Sequence, residues 1–465
     1  MPLVQSTVQF DAPLLQKYDQ PVPRYTSYPP ATELRANFDP IDFRAALAVS
    51  NYQTKPLSLY CHIPFCDSAC YFCGCNTVIT QHKPAAETYL DYLVRHLEQV
   101  AALVDGDRRV QQMHWGGGTP NFLTLAQIER LWTAIQDHFS FDADAEISIE
   151  VNPKALDQSY LNRLRSLGFN RLSFGIQDFN PKVQEAVNRV QPESMLFEVM
   201  DWSRAAGFSS INVDLIYGLP FQTLESYRHT IHKTLQLNPD RIAVFNFAYV
   251  PSLVPVQRHL PQSEMPSPSE KLAILQMTIE ELTQAGYQYI GMDHFAKPND
   301  ELAIAQRQGQ LHRNFQGYTT RPESDLLGFG MTSISMLNDV YVQNHKRLKS
   351  FYQAIDSHQL PIEKGVTLSQ ADIIRRTVIM ELMCQFQIIP ADIEEKYHLG
   401  FDLDFESYFS QAQPALQQLA ADGLIQLSPN ALKVTPVGRL LIRNIAAVFD
   451  TYLEKNRKPT FSRSI

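Results

Sequence analysis

Five of the six cysteines, Cys61, Cys66, Cys70, Cys73 and Cys75, fall within fifteen residues, and only Cys384 lies elsewhere. A disulfide framework spreads its cysteines to staple distant loops, so this crowding points to a metal site in a reducing compartment. Within CHIPFCDSACYFCGC, Cys66, Cys70 and Cys73 are spaced C-x3-C-x2-C. Structural zinc takes two ligand pairs separated by a longer segment, which one tight loop does not naturally offer. Iron–sulfur clusters accept thiolates from a single compact loop, because their bridging sulfides spread the ligand positions apart. Three thiolates on a four-iron cluster leave one iron open to a small molecule. Cys75 keeps a second reading alive: as a fourth ligand it would close the site and leave only electron transfer. Cys61, inside an apolar run, and Cys384, alone in a helical pattern, read as small buried residues.

Something must hold that loop. Short β-rich segments at 57–63, 110–115, 146–151, 171–176, 212–216 and 241–247 alternate with amphipathic patterns at 87–103, 124–139, 155–167 and 224–237. Strands alternating with helices imply βαβ units and a parallel sheet. Six units in succession predict an α/β fold, a full or partial TIM-like (β/α) barrel with its chemistry at the C-terminal ends of the strands. An open doubly wound sheet is the alternative. Segments 289–294 and 326–336 extend the sheet or close its edge. Beyond about residue 365 the pattern changes to helices at 367–384 and 406–422 and a hairpin of 424–426 with 433–435. The expected division is an N-terminal arm over 1–50, rich in proline, a catalytic barrel over 51–365 and a smaller, mainly helical domain over 366–465.

Composition narrows the classes. Of 465 residues 40 are basic and 49 acidic, a formal charge of −9, with 44% hydrophobic and 19% charged. That excludes a disordered chain and speaks against nucleic acid, since no basic surplus is available to neutralise phosphates. No run of about 18 apolar residues suggests a membrane span. Residues 1–16 lack the basic start of a secretory signal, so a cytoplasmic location is expected.

With an aromatic before its third cysteine, the loop resembles that of the radical S-adenosylmethionine superfamily. PRYTSYP (23–29), YCHIPFC (60–66), CYFCGC (70–75), HWGGGTP (114–120), GIQDFN (175–180), NVDLIYGLP (212–220), GMDHFAKP (291–298), HRNFQGYTT (312–320) and LIRNIAAVFDTYL (441–453) narrow this further. Together they resemble the oxygen-independent coproporphyrinogen III oxidase (coproporphyrinogen dehydrogenase) family over nearly the whole chain. The resemblance implies a radical S-adenosylmethionine barrel and a 4Fe–4S cluster whose open iron is chelated by S-adenosylmethionine. An electron from the cluster then yields a 5′-deoxyadenosyl radical. It implies a reaction in which two propionates of coproporphyrinogen III become vinyls, giving protoporphyrinogen IX in anaerobic haem biosynthesis.

The same resemblance makes Cys66, Cys70 and Cys73 the cluster ligands and leaves Cys75 outside that set. Tyr60, Gly117, Glu150 and Ile334 match contacts to the cluster-bound S-adenosylmethionine. Phe72, Gly118, Thr119, Gln177, Arg189, Asp214 and Ala248 match a second S-adenosylmethionine site, so two molecules are implied. No protein side chain is assigned as catalytic, Cys75 being the only candidate. Implied partners are the porphyrinogen and a low-potential electron donor such as flavodoxin or ferredoxin; a monomer is expected.

Each residue also has a plainer reading. Gly116–Gly118 serve as a strand-to-helix turn, Thr119 sets that turn before Pro120, and Arg189 is half of a surface ion pair. Asp214 resists this, because it interrupts an apolar strand and buried carboxylates need partners. Arg24, Lys297, Arg313 and Arg321 are candidate partners for the four substrate carboxylates. The arm with Tyr25 and Tyr28 is a candidate cover for the site. Two rival functions share the motifs in part: a haem chaperone on the same barrel, and a structural zinc or electron-transfer protein using Cys66, Cys70, Cys73 and Cys75.

Overall fold

The computed structural model describes residues 8–399 and 404–453; the ends of the expected arm and C-terminal domain, and residues 400–403, lie outside these. By its contacts the chain divides into two compact units. The larger gathers residues 34–267 and 323–367, the smaller residues 1–33, 268–322 and 368–465. The grouping departs from a linear cut at 50 and 365: the first part of the arm and the stretch 268–322 associate with the C-terminal region.

The larger unit is built on ten strands, which we number β1 (Leu57–Ile63), β2 (Arg109–Gly117), β3 (Ser140–Val151), β4 (Arg171–Gln177), β5 (Ser210–Tyr217), β6 (Arg241–Asn246), β7 (Asp325–Phe329), β8 (Ile334–Met336), β9 (Val340–Asn344) and β10 (Ile362–Thr367). Across the sheet they run β10-β9-β8-β7-β1-β2-β3-β4-β5-β6. β1 to β6 pair in parallel with their neighbours, β7 is parallel to β1, and β8 to β10 return antiparallel. The order is linear, so the barrel is partial. Strand β1 is buried along almost its entire length, as strands covered on both faces are.

Helices Pro84–Ala101, Leu125–His138, Gln158–Leu167, Glu193–Ala205 and Leu224–Leu237 connect successive strands. Leu90, Leu93, Leu97 and Val100 recur on one face of the first and are buried. Thr124 and Thr223 start their helices with reciprocal capping boxes, and Asp157 caps the N–H of Tyr160. The expected helix over 155–167 starts only at Gln158, because Pro153–Ala155 forms a separate short turn capped by Asn152. Residues 34–50 are not an extended arm as expected: Asp39 caps a helix, Pro40–Tyr52, whose first position takes proline without losing a hydrogen bond.

In the smaller unit the helix Gln370–Gln385 and the hairpin Ile425–Ser428 with Ala431–Val434 match the expected C-terminal elements. The expected helix over 406–422 is broken into Phe405–Tyr408, a short turn and Gln413–Ala421, where Pro414 restarts it. Tyr25 and Tyr28 are 1% and 0% exposed. Tyr25 donates to Asp450 at 2.9 Å, and Arg443 donates to the Pro23 carbonyl at 3.0 Å. These tyrosines anchor the arm within its own unit. Among the described residues no helix is long and apolar enough to cross a membrane.

Candidate active site

The cysteine loop leaves β1 through a two-residue strand, Phe65–Cys66, paired in parallel with Val78–Ile79. Backbone and side-chain bonds fix its course. Tyr71 N donates to the Val187 carbonyl at 3.0 Å, Asn188 Nδ2 to the Ala69 carbonyl at 2.7 Å, and Gln257 Nε2 to the Phe72 carbonyl at 3.4 Å. Tyr71 and Phe72 pack on an apolar cluster of Val183, Val187, Ile216, Leu219, Phe247 and Leu260. The loop is thus tethered to segments that follow β4, β5 and β6.

Cys66, Cys70, Cys73 and Cys75 all face one cavity of about 610 Å³ at the C-terminal ends of the parallel strands. All are free thiols. Each of the first three has a hydrogen-bonding partner at its sulfur: Thr119 Oγ1 lies 3.3 Å from Cys66 Sγ, Arg189 Nη1 donates to Cys70 Sγ at 3.5 Å, and Cys75 N donates to Cys73 Sγ at 3.4 Å. Burial pushes the Cys66 thiol up to about 11. A hydrogen bond from Cys75 holds Cys73 low and Cys75 correspondingly high. Among the described residues no group of three or more His, Cys, Asp or Glu is placed to hold a single metal ion. Thiols on one loop, separated, each near a hydrogen-bonding group and open to a shared cavity, fit a cubane whose ligands belong at different corners.

Phe72, Gly117, Gly118, Thr119, Glu150, Gln177, Arg189 and Asp214 line the same cavity. Register explains the convergence: Glu150 lies beside Ser173 across β3 and β4, and Gly175 beside Asp214 across β4 and β5. Gly118 has a steric role. A Cβ there would come within 2.6 Å of the Pro64 carbonyl, and its N–H, like that of Thr119, is spent on the β1–loop backbone. Gly118 therefore lets the chain leaving β2 press against the start of the cysteine loop. Gln177, at φ +73°, carries a buried Oε1 without a partner. Arg189 is no surface ion pair: its Nε and Nη2 donate to the Gly175 carbonyl at 3.1 and 2.7 Å. Tyr60, Ala248 and Ile334 do not line the cavity. Tyr60 pairs in register with Gly328, where a Cβ would lie 2.6 Å from the Ile334 carbonyl, so both sit on the β7–β8 side. Ala248 is exposed, and its carbonyl accepts from Gln257.

Two histidines that sequence reasoning passed over organise this region. His114 Nε2 lies 3.2 Å from Glu150 Oε1, His114 Nδ1 2.7 Å from Ser148 Oγ, and the ring stacks on Tyr60 at 6.0 Å. His62 Nδ1 meets the Tyr60 hydroxyl at 3.1 Å, and burial lowers this imidazole to about 4. Their period-2 spacing along β1 and β2, in step with Tyr60 and Glu150, was the available signal. The Glu150 side chain is 44% exposed to the cavity but flanked by protein. Burial pushes its carboxyl up, yet His114 and the Gly117 N–H outweigh this, and it stays below the ordinary carboxylate value.

Asp214 behaves oppositely. Burial, then the Glu150 charge, raises it from 3.8 to about 7, against hydrogen bonds from Asn212 and Ser173. An acid raised on folding costs stability as pH climbs from its unfolded to its folded value. Asp214→Asn removes that cost. Its melting temperature relative to the parent should match at about pH 4, rise to about pH 7 and then level off. The plateau corresponds to at most about 4 kcal/mol at roughly 1.4 kcal/mol per pKa unit, less where cavity water screens the charge. A pH-independent offset would contradict the assignment.

With this geometry in place, the family comparisons fall into line. The model of the Radical SAM superfamily matches residues 60–234, and that of the HemN C-terminal domain matches 368–441. The fold is that of a radical S-adenosylmethionine enzyme. The oxygen-independent coproporphyrinogen III oxidase of Synechocystis is 65% identical over 460 residues, covering 99% of each chain. The Escherichia coli enzyme of that name is 50% identical over 459 residues, covering 98% of this chain and 99% of the other. The solved structure described as "Coproporphyrinogen III oxidase (HemN) from Escherichia coli is a Radical SAM enzyme" superposes with a TM-score of 0.91 at 48% identity, covering 96% of this chain and 100% of the other. This chain belongs to the family of oxygen-independent coproporphyrinogen III oxidases.

Proposed function

We propose that the chain converts two propionate side chains of coproporphyrinogen III to vinyl groups in haem biosynthesis, giving protoporphyrinogen IX. The observation that carries this reading is the loop of Cys66, Cys70 and Cys73 opening onto a cavity shared with Glu150, Gln177, Arg189 and Asp214. When bound, the cluster and S-adenosylmethionine supply the electron and the hydrogen-abstracting radical. For each propionate a hydrogen atom leaves the side chain, one electron passes to an acceptor, and carbon dioxide departs as the double bond forms.

The residues divide this work. Cys66, Cys70 and Cys73 would hold three irons and leave the fourth open. Glu150, kept ionised and oriented by His114, would hold an ammonium or hydroxyl group of the first S-adenosylmethionine. Tyr60, Gly117 and Ile334 are assigned to the same molecule. Phe72, Gly118, Thr119, Gln177, Arg189, Asp214 and Ala248 are assigned to a second. The unpaired Gln177 Oε1 supports a ligand donor there. Ile79, Leu253, Val254 and Val256 contribute apolar surface to the cavity lining. We assign the chemistry to the larger unit, residues 34–267 and 323–367, in place of the linear division at 50 and 365 expected from the sequence. We further propose a cytoplasmic monomer fed by a flavodoxin- or ferredoxin-type donor.

The direct test is anaerobic incubation with coproporphyrinogen III, S-adenosylmethionine and a low-potential reductant, followed by product mass analysis. Loss of two carbon dioxide units with methionine formation is expected; recovery of unchanged substrate bound to the protein would favour a chaperone. Cys75→Ala should retain both the iron content and the charge-transfer absorbance of the parent. An iron-free Cys75→Ala protein would make that residue a ligand and leave no open iron.

A further inference from the structure

Three consecutive residues fasten the cysteine loop from outside it. The Val187 carbonyl accepts from Tyr71 N at 3.0 Å, Asn188 Nδ2 donates to the Ala69 carbonyl at 2.7 Å, and Arg189 Nη1 donates to Cys70 Sγ at 3.5 Å. The first two contacts fall on the backbone to either side of Cys70 and already fix its place. The third falls on the sulfur itself and brings a full charge to it.

The guanidinium is aimed. Its Nε and Nη2 both donate to the Gly175 carbonyl, at 3.1 and 2.7 Å, while its own backbone N–H donates to the Gln184 carbonyl at 2.8 Å. Two donors on one acceptor hold the plane of the fork and leave Nη1 for Cys70. Gly175 makes room for this, since a Cβ there would lie 2.7 Å from Gln177 Nε2 and 3.0 Å from Arg189 Nη2. Among the described residues no carboxylate pairs with this guanidinium, whose partners are a carbonyl oxygen and a sulfur. The other two thiols of the set have neutral partners, the Thr119 hydroxyl and the Cys75 N–H. Arg189 bears on them as well. Burial raises Cys66 while Thr119 and the Arg189 charge act against it, and the Cys75 hydrogen bond that lowers Cys73 is helped by the same charge.

We propose that Arg189 is a positioning residue for reduction of the cluster: by its hydrogen bond to the Cys70 sulfur it favours the reduced form and raises the reduction potential. This role presupposes the cluster ligation proposed above. On reduction the cluster takes one electron from a low-potential donor, no bond is made or broken, and the added negative charge spreads onto its sulfurs. A cation hydrogen-bonded to one of those sulfurs is attracted more strongly to the reduced form than to the oxidised one.

The test uses full-length, anaerobically reconstituted protein without S-adenosylmethionine or substrate, titrated with a low-potential reductant and mediator dyes. It is run at about pH 9, where Asp214, raised to about 7 chiefly by burial, is ionised. Arg189→Gln should load as much iron as the parent, because Val187 and Asn188 still hold the loop. Its reduction should be about tenfold less favourable, a potential lower by about 59 mV for one electron. Arg189→Lys has one nitrogen to divide between the Gly175 carbonyl and Cys70, so it should lose about threefold. A merely structural arginine would cost loading or stability and leave the potential of an assembled cluster unchanged. The parent's potential in Arg189→Gln would overturn the proposal, and so would the parent's potential in Arg189→Lys, since the fork would then not matter. Failure of both variants to load iron would also overturn it, by making Arg189 a scaffold for the loop. A parent that holds no cluster would end the proposed reaction too, whereas turnover by the parent with unshifted variant potentials would discard this role alone.

Discussion

Cys66→Ala, Cys70→Ala and Cys73→Ala proteins, reconstituted without oxygen, should each lack the charge-transfer absorbance at about 400 nm and lose turnover by at least about 1,000-fold. The size of the effect follows from the division of labour. Glu150, Gln177 and Arg189 would position a ligand that other contacts also hold, whereas a missing thiolate frees a corner of the cluster itself. Cluster ligation by thiolate is also coupled to protons, since Cys66, held up at about 11 by burial, must lose its proton to bind. The fold should persist in all three variants, because the loop is tied down by Tyr71, Asn188 and Gln257 contacts that involve no sulfur. Circular dichroism matching the parent, with iron content near zero, would be the expected pair of observations. Normal iron in any one variant would remove that cysteine from the ligand set.

Asp325→Asn is expected to cost about 3–5 kcal/mol in denaturant unfolding, the largest single-site loss among those considered, because it leaves Arg108 charged and buried. The pair joins three elements. Arg108 precedes β2, Asp325 opens β7, and Ser50 in helix Pro40–Tyr52 donates its hydroxyl to the same carboxylate. Arg108→Met combined with Asp325→Leu should recover much of the loss, since a buried pair contributes less than the penalty for breaking it. Equal instability of the single and double variants would show that packing, not charge, governs the site.

Much of the framework was legible in the sequence. The expected and observed bounds of β1 coincide because its apolar run is bounded by Lys55–Pro56 and Pro64. β3 was cut short because its first half, Ser140 to Asp144, alternates acidic and apolar residues and reads as a loop. Helix Glu193–Ala205 was missed behind a polar start with no side-chain cap. At the site, the cysteine spacing and the interruption of an apolar strand by Asp214 singled out residues that the structure brings to one cavity. The Arg189 contacts were not legible. They depend on a backbone carbonyl, Gly175, that no side-chain pattern reports. His114 and His62 were hidden for a different reason, as their roles arise from neighbours on adjacent strands.

The smaller unit draws on three stretches separated by the whole of the larger one, and Tyr25 reaches Asp450 across 425 positions of chain. On a ribosome this imposes a sequence of events. The first 33 residues emerge long before Gly438 to Phe449 exist, so their apolar anchors Val22, Tyr25 and Tyr28 must wait unburied while the β1–β6 region is translated and can begin to fold. Distant closure of this kind is slow and leaves hydrophobic side chains open to aggregation meanwhile. Nascent chains halted before residue 440 should therefore be protease-sensitive in this early segment, and their dependence on chaperones should end only once helix Ile442–Ala447 has left the exit tunnel.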